Sequence, residues 1–275
     1  MANAKTLTPV RPAVPTRVKY ERALLAEIDA MANSLAYWLR AAYRANEPAT
    51  VALAQDASPV DVLQTAFDTL ARRWVRRFDD LAPRLAGHFA NAHKTRVDRA
   101  LKADLRKSGF TVKFQQSQAM RDAFVAVVDE NVGLIKSIAE QYLAGVRTVL
   151  MQSVQTGRDL ATLTDHIEKR TGVTRRRAAF IARDQNNKAT AVMVRTRALE
   201  LGVTRARWLH SAGGKEPRHE HVAFSSARGT FDLATGHDFH NGEGVVWPGT
   251  AINCRCVALP IVPGFDDVAR GPLVA

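Results

Sequence analysis

The sequence predicts a predominantly helical α+β protein, with a long N-terminal helical part and a small, loop-rich C-terminal α+β domain. Three observations predict it. Apolar residues recur at spacings of three and four as far as Leu201, the mark of helices with one buried face. After Gly202 that spacing disappears, and glycines, aromatics and histidines follow at close intervals. Within this last part, Arg205 to His210 and Cys256 to Val262 read as strands.

Residues 1–18 carry Pro9, Pro12 and Pro15 with Lys5, Arg11 and Arg17 and no acid, so they read as a basic flexible arm. A helical domain is expected over 19–156. Leu24, Ile28, Met31, Leu35, Trp38 and Ala42 mark one apolar helix face, and Asn46-Glu47-Pro48 break it. Ser58-Pro59 reads as an N-cap followed by proline at the first helical position. Val62, Ala66, Leu70, Trp74 and Phe78 continue the spacing, and Pro83 is expected to end or kink that helix. A further basic helix runs toward Lys107, and Ser108-Gly109 stops it. Phe110, Val112 and Phe114 alternate with polar residues, as in a short strand or extended crossing. Helical spacing resumes at Met120 through Phe124, Val127, Leu134, Ile138, Tyr142 and Val146, with a break at Gly157.

A second domain is expected over 157–262, with a C-terminal tail over 263–275. It opens with a short helix at Leu160, Leu163 and Ile167 that ends near Gly172. Thr174 then caps a helix from Arg175 to Leu201, stopped by Gly202.

The chain has 39 Lys and Arg against 27 Asp and Glu, a net charge of +12, which points to a polyanionic partner such as nucleic acid. No run of about 18 apolar residues indicates a membrane span, and the first residues lack the apolar core of a secretory signal. The two cysteines, Cys254 and Cys256, are one residue apart, a spacing that strains a mutual disulfide. They suit a reducing compartment and metal.

Five of the eight histidines (His210, His219, His221, His237 and His240) fall in the same small region as these cysteines. A small domain with little apolar mass is often stapled by a metal, and imidazole and thiolate are the usual structural zinc ligands. His221, Cys254 and Cys256 supply three candidates, with His219 as the fourth and His210, His237 or His240 as substitutes. The alternative is that the cysteines are buried apolar groups and the histidines satisfied polar ones. His219-Glu220-His221 is not the His-Glu-x-x-His of metalloproteases, because position 223 is Ala. A His-Asn-His type metal nuclease, using His219 or His221 with Asn241, is the enzymatic alternative. No phosphate loop, dinucleotide fingerprint or serine elbow is present, so no enzyme is expected.

The helix from Arg175 carries Arg175, Arg176, Arg177, Arg183, Lys188, Arg195 and Arg197, with Asp184 and Glu200 as its only acids. These seven cations are the candidate DNA-binding residues, through phosphates. The alternative is a solvated face opposite Phe180, Ile181, Val192 and Leu199.

Several motifs stand in a fixed order between Asn131 and Pro260. They are the apolar helix at Glu130 to Ile138, Gly157-Arg-Asp-Leu160, Ile181-Ala-Arg-Asp-Gln185, the strand at Trp208, Arg218-His-Glu-His221 and the closing Asn253-Cys-Arg-Cys256. This order resembles the phage head morphogenesis family, which includes the F protein of phage Mu. The resemblance covers about half of the chain. Some relatives carry Cys-x-x-Cys where this chain has Arg218 and His221, and His-Pro where it has Ala251-Ile252, so fewer candidate ligands remain. The resemblance implies a minor head protein of a tailed phage, acting in head assembly at or near the portal. Implied partners are the portal protein, the major capsid protein or scaffold, and double-stranded DNA. The implied location is the virion, with the host cytoplasm during assembly. A non-specific DNA-binding protein outside any virion is the other alternative.

Overall fold

The computed structural model describes residues 4–45, 59–155, 160–213 and 216–266. Four long helices dominate it: α1 (Val14–Ala45), α2 (Pro59–Lys107), α3 (Gln118–Gln155) and α4 (Leu160–Glu200). A strand, β1 (Ala4–Thr6), precedes them. The C-terminal part holds β2 (Arg205–Leu209), α5 (His219–Ser226), β3 (Thr230–Asp232), β4 (His237–Asp238), β5 (Val245–Val246) and β6 (Val257–Asp266). The predominantly helical α+β class and both expected strands are thus present. No described helix is long and apolar enough to cross a membrane.

The chain divides into two compact units, and neither is one continuous stretch. The first gathers Met1–Arg17, His88–Val128 and Arg183–Ala275, and the second Val18–Gly87 and Asp129–Ala182. The expected boundary at 18 falls at a unit break, within one residue, and those at 156 and 262 do not. Each of α1 to α4 gives residues to both, and buried faces, not chain order, decide the grouping.

The second unit is helical throughout its described residues. Its core takes Leu24, Ile28, Met31, Leu35, Leu39 and Tyr43 from α1, and Leu63, Phe67, Leu70, Trp74 and Phe78 from α2. Ile135, Ile138, Tyr142 and Val146 of α3 and Leu163 and Ile167 of α4 complete it. Two polar pairs lie in or beside it: the Tyr20 hydroxyl donates to Asn131 Oδ1 at 2.9 Å, and Tyr142 meets Thr171 at 3.0 Å. At the rim, Arg77 pairs with Glu27 at 2.6 Å and Arg147 with Asp68 at 2.8 Å.

Two local expectations are corrected (Trp38, and the break at Gly172 and Thr174) and two are narrowed (Pro83 does not end its helix, and residues 110–114 are a crossing). Trp38 is 51% exposed; the buried stripe of α1 continues through Leu39 and Tyr43. Pro83 lies inside α2, which runs on to Lys107 because Ala82 and Ala86 on either side are fully buried and hold the turn. Gly172 and Thr174 do not divide α4: the Thr174 hydroxyl donates back to the Arg170 carbonyl at 3.0 Å, an interior bond and not a cap. Residues 110–114 form no strand, and the Phe114 ring lies under the Arg197 guanidinium at 4.7 Å. Ser58 and Gly157 lie outside the described residues.

The first unit carries the sheets. Four antiparallel strands are ordered β1-β6-β2-β3, and β4 pairs with β5. Trp208 faces Ala258 and Leu209 faces Val257 across β2 and β6, while Ala206 faces Phe231 on β3. The expected basic arm is corrected here. Lys5 and Thr6 pair with Val262 and Ile261, and Leu7, Val10 and Ala13 are buried. β6 likewise runs four residues past the expected domain end, to Asp266.

His93 of α2 is fully buried in this unit. The Thr190 hydroxyl donates to the Asn186 carbonyl at 2.8 Å, so His93 Nδ1, 3.1 Å from Thr190 Oγ1, must donate to that hydroxyl oxygen. Nε2 then bears a buried lone pair without a protein partner. Burial, and next the Arg96 charge, lower its pKa from 6.5 to about 4. Between these values the unfolded chain binds the proton and the folded one does not. Stability is therefore full above about pH 6.5 and is lost as pH falls toward 4, by on the order of 3 kcal/mol. Urea unfolding across this window, compared with His93→Gln, is expected to show a shallower loss in the variant.

Candidate metal centre

His221, Cys254 and Cys256 converge in the first unit, all three buried, with their ligand atoms within 4.8 Å of one another. His221 occupies the first turn of α5 and is the one buried residue of that helix. Its ring is wedged between aromatics, 4.8 Å from Trp208 edge-on and 4.8 Å from Phe239. This packing aims Nδ1 at the sulfurs, at 3.7 Å from Cys254 Sγ and 3.7 Å from Cys256 Sγ.

The cysteines sit in a turn that leads into β6, and α4 clamps that turn. Asp184 Oδ1 accepts the Asn253 N–H at 2.5 Å, and Asn187 Nδ2 donates to the Cys254 carbonyl at 3.0 Å. Asn253 itself is left-handed at φ 60°, a conformation the Asp184 bond helps to hold. Gly249 adopts φ +84°, and a Cβ there would lie 3.0 Å from the Cys256 carbonyl and 3.2 Å from Ala191. Only glycine fits that approach.

The two thiols behave as one proton-sharing pair. The Cys256 thiol donating to Cys254 depresses the Cys254 pKa; burial opposes this, and His221 and backbone N–H groups of Cys256 and Gly249 add to the lowering. Cys256 is raised, first by that same bond to Cys254 and then by burial. A thiolate is thus already favoured at Cys254, as a soft cation requires.

The three donors match three corners of a tetrahedral zinc site, and no fourth His, Cys, Asp or Glu among the described residues joins them. Bonds of about 2.3 Å to sulfur and about 2.0–2.1 Å to nitrogen, in tetrahedral array, separate the two donors by about 3.6 Å. The observed Nδ1···Sγ distances of 3.7 Å match that edge. On the far side of the ring, His221 Nε2 is buried without a hydrogen bond and faces Glu243 Oε2 at 3.8 Å. A carboxylate behind a ligating imidazole is the usual arrangement that fixes the ring. Glu243 is in turn held by Arg218 Nε at 2.6 Å.

The other sequence candidates are elsewhere. His219 is exposed at the start of α5 and outside the cluster, because two residues along a helix turn a side chain to the opposite face. His210 Nδ1 accepts the Ala212 N–H, His237 stacks on Phe224 at 4.2 Å, and His240 is 87% exposed. The nuclease grouping is not assembled either. Asn241 Oδ1 accepts the Glu243 N–H in a local turn, while His221 faces the sulfurs.

The basic face of α4 is divided. Arg197 is 1% exposed, bonded to Asp98 at 2.7 and 3.0 Å and to Glu200 at 2.6 Å, so it is removed from the DNA-binding candidates. Arg195 lies over the Trp247 ring at 4.3 Å. Arg175 pairs with Asp29, and Arg177 donates to Ser137 at 3.0 Å. Arg176 is exposed, and Arg183 and Lys188 are half-buried. All of Arg175, Arg176 and Arg177 are interior to α4, not at its N-terminus.

Residues 144–259 match the family described as Phage Mu protein F like protein. Over that segment the chain is similar to this family. The match supports the resemblance to phage head morphogenesis proteins read from the motif order. The chain is also similar to an uncharacterized protein of Haemophilus influenzae (strain ATCC 51907 / DSM 11121 / KW20 / Rd), 32% identical over 160 residues. That alignment covers 54% of this chain and 32% of the relative, so the chain spans about a third of the length of the curated relative it matches. No solved structure matches the chain.

The matched segment contains the whole candidate metal centre and its clamp on α4. Sequence reasoning alone misses Glu243 and Asn187. Glu243 sits in a glycine-flanked loop with no spacing signal, but Asn187 lies just past the Ile-Ala-Arg-Asp-Gln motif, which could have drawn the eye to it.

Proposed function

We propose that this chain is a minor head protein of a tailed phage, acting in head assembly at or near the portal and contacting packaged double-stranded DNA. One observation supports the head-related reading: the match to the Phage Mu protein F like family is continuous in sequence from the end of α3 through α4, β2 to β5 and the cysteine turn, into the start of β6. The His221–Cys254–Cys256 centre holds a structural zinc ion in this reading, tying α5 to the turn before β6. The portal protein and the major capsid protein or scaffold are its partners, and the virion is its destination.

Quantitative mass spectrometry of purified virions tests the head role. The expected result is a low, reproducible copy number relative to the portal protein. Absence from both mature particles and assembly intermediates would refute it.

The DNA-binding part is supported by a feature of α2. Arg72, Arg73, Arg76 and Arg84 are exposed along one face and, with Arg77, line a shallow depression of about 680 Å³ that Glu27 and Asp80 only partly offset. Their spacing repeats at one helical turn, which presents a charged ridge to a polyanion. Arg176 of α4 adds an exposed cation. Replacing Arg72, Arg73, Arg76 and Arg84 by Gln is expected to weaken duplex binding and flatten its dependence on log salt by about 0.9 for each phosphate no longer neutralised. An unchanged slope would place the DNA-binding surface elsewhere.

A further inference from the structure

A second basic feature lies in the first unit and is a cleft, not a ridge. It has a volume of about 370 Å³ and opens between the start of α1, the middle of α4 and the adjoining ends of β2 and β6. Arg11, Arg17, Arg183 and Arg255 line it, and no Asp or Glu does among the described residues. Asp184, next in sequence to one of these arginines, is bonded to the Asn253 N–H. Four guanidiniums lining one cleft concentrate positive charge there, which favours an anion, and Arg255 is steadied by a bond to the Gly213 carbonyl. The planar fork of arginine suits the paired oxygens of a phosphate.

The cleft also has features that a bare anion would not use. Asn186 lines it and is 4% exposed, with a buried Oδ1 that has no hydrogen-bond partner. A buried acceptor of this kind calls for a donor from the ligand. His210 is a further donor, because its Nδ1 accepts the Ala212 N–H and so leaves the proton on Nε2. Leu209 and Val257, facing residues of β2 and β6, form an apolar wall. A cationic rim, an apolar wall and a buried acceptor together suit a phosphate joined to a flat, amine- or hydroxyl-bearing group.

We propose that this cleft binds a nucleotide unit, with its phosphate among Arg11, Arg17, Arg183 and Arg255 and its base or sugar against Leu209, Val257 and Asn186. The unit comes from a free nucleotide or from a nucleic-acid strand. The site does not depend on the head role, nor on the α2 ridge.

The test is calorimetric titration of the full chain with AMP, adenosine and inorganic phosphate, beside anisotropy of a fluorescein-labelled 12-nucleotide single strand. Two variants probe the site: Arg11→Gln with Arg255→Gln, both exposed in the folded chain, and the similar-sized Asn186→Leu, which removes the buried acceptor. Each is expected to weaken binding at least tenfold, with the melting temperature of the Arg11/Arg255 variant unchanged. AMP that binds and displaces the strand assigns the free nucleotide. A strand that binds, loses affinity in both variants and resists millimolar AMP assigns the strand. The proposal is overturned if neither variant weakens binding, or if inorganic phosphate competes as well as AMP and adenosine adds nothing. Arg72→Gln with Arg76→Gln separates this site from the ridge, because it leaves AMP binding unchanged even where strand binding falls.

Discussion

His221→Ala is expected to lose one bound zinc per chain and about 10 °C of melting temperature. The ring is 2% exposed, packs on Trp208 and Phe239 and touches both sulfurs. Removing a buried ring of this size costs about 3–4 kcal/mol, and a domain of this length shifts by about 2–4 °C per kcal/mol. His221→Cys supplies a thiolate at the same turn of α5 and is expected to restore metal but not all of the packing. Elemental analysis and melting with and without a chelator are the measurements. Zinc affinity should rise with pH, since binding must release the proton that Cys254 and Cys256 share. A metal-free protein whose melting ignores both zinc and chelator would leave the three residues as a packing cluster only.

Asp98→Ala is expected to destabilise the protein by about 3 kcal/mol or more, because it strips the bidentate partner from a buried guanidinium. Arg197 would keep Glu200, the Gln115 carbonyl at 2.9 Å and the Phe114 ring, which do not replace a second carboxylate. The double variant Asp98→Ala with Arg197→Met should recover much of the loss, since it leaves no buried unpaired charge. Urea unfolding of the two single variants and the double variant yields the coupling energy. Equal loss in the single and double variants would mean that the pair contributes packing and little electrostatics.

The helices are legible in the sequence because their signal is local. Leu24, Ile28, Met31 and Leu35 are all buried, as their spacing says. What that spacing cannot say is where a helix stops. Pro83, Gly172 and Thr174 are local breakers by type, yet α2 and α4 pass through them because packing on both sides outweighs one absent bond or one glycine. The metal centre is half legible. Residue chemistry singles out His221, Cys254 and Cys256, but choosing among five histidines requires knowing which face of α5 is buried. Arg197 illustrates the opposite failure. A charged residue on a basic helix reads as surface, and only the approach of Asp98, 99 positions earlier, shows that it is core.

The strand order β1-β6-β2-β3 has a consequence for synthesis. β6 lies between the earliest strand and β2, and the cysteine turn immediately precedes it. Neither β1 nor the β2–β3 pair can acquire its neighbour until residues 257–266 have left the ribosome. Helical segments can condense while the chain is still growing, but the sheet and the cysteine turn close together only once β6 is available. A ribosome stalled before Val257 would hold a chain whose first strand is unpaired and whose β2 lacks one neighbour. Such a nascent chain exposes unpaired strand edges, so closure of the sheet waits on β6 and not on β2 or β3.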